Sequence, residues 1–253
     1  MLFRLFFTFG FITNKIINLL NINCKAQMAT KDVNTVLDFL KELRLNNNRE
    51  WFNANKHRYL EAKAAFEELT SFLAKEIAVF DPAFRPDDPK KYIFRIYRDV
   101  RFSKNKSPYK EQFGAFLANG GRKSPYAGYY FHIEPGNTMA AGGIYCPAPS
   151  ALKSIRTEVL FRGEYFQKIL NKKSFKKHFG SLADLKLKRP PVGFPKDHPF
   201  IELAKYKSYI FSQVFSDEQV RGDGFMAEAL AAFKAMKEIN DFLNEAINLA
   251  NEE

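Results

Sequence analysis

QFGAFLANGGRKSPYAGYYFHIEPGNTMAAGGIY, residues 112–145, is the stretch whose reading decides the fold. Apolar residues recur in it at a period of two, and turn-forming residues interrupt the pattern twice. Gln112 to Ala118 leads through Asn119-Gly120-Gly121 into Ala127 to Glu134, and Pro135-Gly136 predicts a type II turn into Thr138 to Tyr145. The expectation is a three-stranded antiparallel meander. Successive strand side chains point to opposite faces, so Tyr129, Phe131 and Ile133 should share one face and Tyr130, His132 and Glu134 the other. Gly142 and Gly143 in the third strand leave room for a ligand or a neighbouring backbone. The run from Asn119 to Ser124 lacks the Gly-Lys-Ser/Thr order of a phosphate loop and reads as a hairpin loop with exposed cations.

Working outward, the apolar period lengthens to that of helices. Val33, Val36, Leu37, Leu40 and Leu43 mark one helix, with Asp32 placed to cap it and Asn46-Asn47-Asn48 to end it. Trp51, Phe52, Asn55, Tyr59, Ala62, Phe66, Leu69, Leu73 and Ile77 predict a second, stopped at Asp81-Pro82 because proline pushes its predecessor out of helical backbone. Downstream, Leu152, Ile155, Val159 and Leu160 give another helical face, Gly163 a break, and Phe166, Ile169 and Leu170 the next. Lys188 to Pro199 reads as a loop, Ser208 to Phe215 as a further strand, and the chain from Asp223 as one or two closing helices. The fold class is therefore α+β, a central antiparallel sheet packed by N- and C-terminal helices, expected as a single domain over residues 28–253.

Residues 1–27, MLFRLFFTFGFITNKIINLLNINCKAQ, form an apolar leader expected to lie outside that fold. Lys15 and the asparagines interrupt it before 18 apolar residues accumulate, and no small-residue cleavage site follows. Contact with a membrane is expected only if this leader is a real anchor. Cys24 and Cys146 suggest neither a disulfide framework nor a metal site, which fits a reducing cytoplasm. His57, His132, His178 and His198 stand too far apart for metal-ligand spacing, and no metal or cofactor is expected.

The formal charge is +11 and it is concentrated. Lys90 to Lys123 carries ten basic residues against Asp99 and Glu111, and the leader adds Arg4, Lys15 and Lys25, which leaves the remainder neutral. Such a focus reads as a surface for an anionic partner. Tyr92 to Phe102 fits a strand or a helix equally. In either, Asp99 sits among Arg95, Arg98 and Arg101, orienting them for an anion or simply closing a structural ion-pair cluster. Ser103 to Lys110 reads as an exposed loop whose Lys104, Lys106 and Lys110 would meet the same ligand. Tyr97, Phe102 and Tyr109 are rings on which a base or sugar could stack, although core packing is the favoured reading for Phe94 and Phe102. His132 is the best general acid or base in the chain, with Glu134 or Asp99 to orient it and Tyr130 on the same face.

Several stretches resemble one family in order: NNNREWFNANKHRY from Asn46, IFRIYRDVRFSKNKSPYKEQFGA from Ile93, GYYFHIEPG from Gly128, GGIY from Gly142 and GFPKDHP from Gly193. The family is domain of unknown function 2461, found in bacteria and fungi, whose members typically begin near Met28. The resemblance implies that Arg95, Arg98, Asp99, Arg101, Lys104, Lys106, Pro108, Tyr109 and Lys110 belong to the family's own motif, and it implies no reaction. Three functions follow as expectations. The first is binding of a phosphate-bearing ligand or nucleic acid through the Arg/Lys cluster; the second is acid–base catalysis by His132 with a carboxylate on an anionic substrate; the third is a scaffold meeting an acidic protein.

Overall fold

A computed structural model describes residues 29–183 and 186–252; the leader lies outside the described residues. The meander forms as its alternation predicts. Strands β1 (Phe113–Leu117), β2 (Gly128–Ile133) and β3 (Thr138–Ile144) pair antiparallel in sequence order, and β4 (Tyr209–Phe215) adds to β3. The β2–β3 turn closes with Asn137 N donating to Glu134 O at 3.0 Å, and Gly136 takes the positive φ of 75° that the second turn position demands.

Helices cover one face of this sheet. Helix α1 spans residues 29–45, so Asp32 lies within it rather than capping it. The second predicted helix is two, α2 (Arg49–Ala54) and α3 (Lys56–Phe80), because Asn55 leaves helical backbone at φ −104° and ψ 22°. Asn48 caps α2 by accepting from Trp51 N at 2.9 Å. Four short helices, α4 (Pro149–Phe161), α5 (Gly163–Leu170), α6 (Lys173–His178) and α7 (Ile201–Ala204), lead to β4. After it come α8 (Asp217–Arg221), opened by a Ser216–Gln219 capping box, and α9 (Phe225–Glu252), a single closing helix.

The core sits between the sheet and helices α1, α3 and α9. Phe66 of α3 stacks on Phe131 of β2 at 5.8 Å, and Phe233 of α9 meets Tyr129 edge-on at 5.5 Å. The β3 glycines serve this packing. A Cβ on Gly142 would lie 2.5 Å from Met236 of α9; one on Gly143, whose φ is 102°, would lie 1.9 Å from the Tyr209 carbonyl oxygen of β4. Gly142 admits the helix and Gly143 the neighbouring strand.

Between α3 and β1 the chain is neither the strand nor the helix that Tyr92–Phe102 allowed. Phe94 N donates to Gly114 O at 2.9 Å and Phe116 N to Tyr92 O at 3.0 Å, which covers the free edge of β1. The chain then folds into an irregular hairpin held by Arg98 N to Pro108 O at 2.9 Å and Lys110 N to Ile96 O at 2.7 Å. Among the described residues no helix is long and apolar enough to cross a membrane.

Candidate functional site

The face of the sheet turned away from α9 is floored by small residues. Gly114 of β1 and Ala141 and Gly143 of β3 place almost no side-chain volume there, while Phe94, Phe116, Tyr126, Tyr130, Met139 and Ile210 stand around them. The result is a cavity of about 610 Å³ with mostly apolar walls, the size and character of a small-molecule site. Lys110, Gln112, Arg122, Ser124 and Ser212 supply its polar groups.

Tyr130 reaches this cavity as the end of a hydrogen-bonded chain. The alternation that sends Tyr129, Phe131 and Ile133 into the core sends Tyr130, His132 and Glu134 to the opposite face. Tyr130 Oη lies 2.9 Å from His132 Nδ1, and His132 Nε2 lies 3.0 Å from Glu134 Oε2. An ionised carboxylate can only accept, so Nε2 carries the hydrogen, Nδ1 is the acceptor, and the Tyr130 hydroxyl donates to it. Asn137 donates to Glu134 Oε2 at 2.8 Å, and Arg44 of α1 donates to Glu134 Oε1 at 3.2 Å, to Glu111 Oε2 at 3.0 Å and to the Pro135 carbonyl at 2.9 Å. Glu134 is thereby fixed from two sides.

Burial decides the charge state of the relay. His132 is 4% exposed, and desolvation outweighs the nearby Glu134 carboxylate to hold its pKa below the ordinary 6.5, so the ring is neutral. Burial, assisted by Glu134, pushes the Tyr130 phenol up to about 12. The arrangement is a neutral phenol against a neutral imidazole acceptor, with a carboxylate behind to stabilise the imidazolium that a proton shift would make.

The basic hairpin is built separately. Tyr109 is buried, not exposed for stacking: its ring lies 3.8 Å from Phe52 and nearly parallel to it, and Asn47 accepts from Tyr109 N at 3.1 Å and donates to Tyr109 O at 3.1 Å. Phe102, expected in the core, is 96% exposed at the hairpin tip. Asp99 does not orient three arginines and does not touch His132. It pairs with Arg101 at 2.7 Å, which with Arg95 nearby lowers its pKa, while Arg98 turns back to the Ser107 carbonyl at 3.2 Å and the Ser103 hydroxyl at 3.3 Å. Arg95, Lys104 and Lys106 are exposed.

Of the residues singled out from sequence, Phe94, Lys110, Tyr130, Gly142 and Gly143 line the cavity; His132 and Glu134 stand behind Tyr130, and Arg95, Arg98, Arg101, Lys104 and Lys106 lie on the hairpin. Sequence reasoning missed Arg122, Tyr126 and Gln112 as walls, and Arg44 as the clamp on Glu134. Arg122 had a visible signal in its glycine turn. Its Nη1 donates to the Lys90 and Lys91 carbonyls at 3.1 and 3.2 Å, which fixes the guanidinium at the cavity rim. A second cavity of about 540 Å³ beside α9 is largely consumed by structure: Asp81 accepts from Tyr129, Asn244 pairs with both backbone groups of Ala127, and Lys237 pairs with Asp241. Among the described residues no group of His, Cys, Asp and Glu is placed to hold a metal ion.

No curated protein and no solved structure matches the chain. A family match covers residues 35–242, from α1 through most of α9, and so takes in the sheet, the relay and the hairpin. The chain belongs to the family described as conserved hypothetical protein (DUF2461).

Proposed function

We propose that the protein binds a small organic anion in the sheet-face cavity and moves a proton on it through Tyr130. The observation that carries this reading is the Tyr130–His132–Glu134 hydrogen-bonded chain through the buried His132, of which only Tyr130 borders the cavity. Tyr130 is the group that touches ligand. His132 accepts its proton, and Glu134, held by Arg44 and Asn137, keeps the imidazole in the accepting tautomer. Arg122 and Lys110 give the cavity a positive side for the anionic group, and the rest of its lining is mostly apolar. Unbiased metabolite profiling of the purified protein tests the reading directly. The wild-type chain should retain a small anion that Tyr130→Phe and Arg122→Ala retain less; equal recovery of every compound from all three proteins would overturn it.

A second reading concerns the hairpin. Phe102, 96% exposed between Arg101 and Ser103-Lys104, is a ring set among cations, the combination that single-stranded nucleic acid meets by stacking and phosphate contact. This use of the hairpin is independent of the cavity. A cytoplasmic setting fits both readings, on the reasoning from cysteine usage.

A further inference from the structure

We propose that Lys110 is a nucleophilic amine that condenses with a carbonyl group of the anion bound in the sheet-face cavity, forming an imine. The inference rests on the cavity assignment above and deepens it by naming the ligand as a small carbonyl compound carrying an anionic group.

Placement comes first. Tyr109 is locked under Phe52, Asn47 holds both backbone groups of Tyr109, and Lys110 N is bonded to Ile96 O at 2.7 Å. With its predecessor pinned into the core, the Lys110 side chain is directed the other way, into the cavity that Tyr130 also lines. There its Nζ lies 5.7 Å from the centre of the Phe94 ring and forms no ion pair among the described residues. Several lysines are placed differently: Lys41, Lys63, Lys91, Lys172, Lys205 and Lys237 pair with carboxylates. Such pairing stabilises the ammonium form, which has no lone pair to attack with. Burial, and then the positive charge of Arg95, lower the pKa of Lys110 below the ordinary lysine value, in the direction that frees its lone pair.

The chemistry balances with the groups at hand. The Nζ lone pair forms a bond to the carbonyl carbon as the C=O π pair moves to oxygen. Tyr130 takes a proton from the nitrogen as His132 takes the Tyr130 proton, and the relay delivers it to the alkoxide, which gives a carbinolamine. The second nitrogen proton follows the same route to the hydroxyl as the nitrogen lone pair forms the C=N bond and the C–O bond breaks. The products are an imine and one water, and nothing is oxidised or reduced. Arg122 holds the anionic group while this happens.

The test treats the full chain with glyoxylate and sodium cyanoborohydride, which reduces an imine to a stable secondary amine, followed by peptide mapping. Label at Lys110 should exceed that at the exposed Lys104 and Lys106, since burial leaves a larger fraction of its amine unprotonated. It should vanish in Lys110→Arg, which keeps the charge and the bulk. Label spread over exposed lysines, or absent from Lys110, overturns the imine. If Tyr130→Phe loses a retained metabolite while Lys110 is never labelled, the imine falls and the proton relay stands. If Lys110 labels selectively at the same rate in Tyr130→Phe, the reactive amine stands and the relay falls.

Discussion

Tyr129 and Tyr130 are neighbours on one strand with the same side chain, and the sheet gives them opposite circumstances. Tyr129 points toward α9, 2% exposed, and donates to Asp81 at 2.7 Å; burial and the Asp81 charge push its phenol far above the ordinary value. Tyr130 points to the cavity and donates to a neutral imidazole, with its phenol raised to about 12. A phenol against a buried carboxylate is a finished structural bond. A phenol against an imidazole that can still take a proton, bordering an open cavity, is a group with something left to do. The alternation of β2 thus puts a structural bond on one face and the proposed proton relay on the other, and substitutions on the two faces should separate stability from ligand retention.

The largest effect belongs to the covered face. Phe131 is fully buried between Phe66 and Phe225, so Phe131→Ala should cost about 3–5 kcal/mol in chemical denaturation. A loss below about 1 kcal/mol, the level of an ordinary surface change, would mean that this face is not the core.

The tyrosine pair gives the sharper comparison. Tyr129→Phe leaves the Asp81 carboxylate, itself 7% exposed, short of a donor, and should cost about 1–3 kcal/mol. Tyr130→Phe leaves only a neutral imidazole nitrogen without its donor beside a cavity that water enters, and should cost about 0.5–1.5 kcal/mol. Ligand retention should follow the opposite order, surviving in Tyr129→Phe and failing in Tyr130→Phe. If both variants retain ligand alike, the division of labour between the faces is wrong.

Protonation offers a test without touching the cavity wall. His132 has a folded pKa below its unfolded 6.5, so in that window the unfolded chain binds a proton that the folded chain refuses. This group's contribution is therefore flat above the window, and stability falls as the pH drops through it. Melting temperatures taken between about pH 7.5 and 5 should fall more steeply for the wild type than for His132→Gln, which has no proton to gain. Parallel curves would show that the ring is not held neutral by burial.

How much of this was legible in the sequence differs between the same regions. The strands and the shared face of Tyr130, His132 and Glu134 follow from a period of two that nothing in residues 128–134 contradicts, because one face of that strand is core and the other is turned away from it. The hairpin was not legible, because its shape is imposed from afar: Asn47, 62 residues before Tyr109, clamps its backbone, and Phe52 captures its ring. Once Tyr109 is taken inward, Phe102 has no core left to enter, and the local reading of both aromatics inverts. Arg44 was invisible for the same reason. Its carboxylate partners stand 67 and 90 residues away, and an exposed arginine on an amphipathic helix carries no pattern that announces a clamp.

The smallest stability effect is expected at the hairpin tip, and it bounds the comparison from outside the sheet. Phe102, Lys104 and Lys106 are exposed, and the one side-chain hydrogen bond among them, from Lys106 to the Val100 carbonyl at 3.1 Å, lies on the surface. Changing all three to Ser should move stability by no more than about 0.5 kcal/mol per site, as for exposed positions generally. If the tip meets nucleic acid, the same change should weaken binding to single strands of any sequence and reduce the salt slope by about 0.7 for each phosphate left without its lysine. Retention of the small anion in the cavity should be untouched, because none of the three lines it. No measurable affinity of the unmodified chain for single strands at low salt would remove nucleic acid as the hairpin's partner and leave an acidic protein as the remaining anionic candidate. Loss of the small anion in the triple variant would instead join hairpin and cavity into one site, and the separation drawn between them would fail.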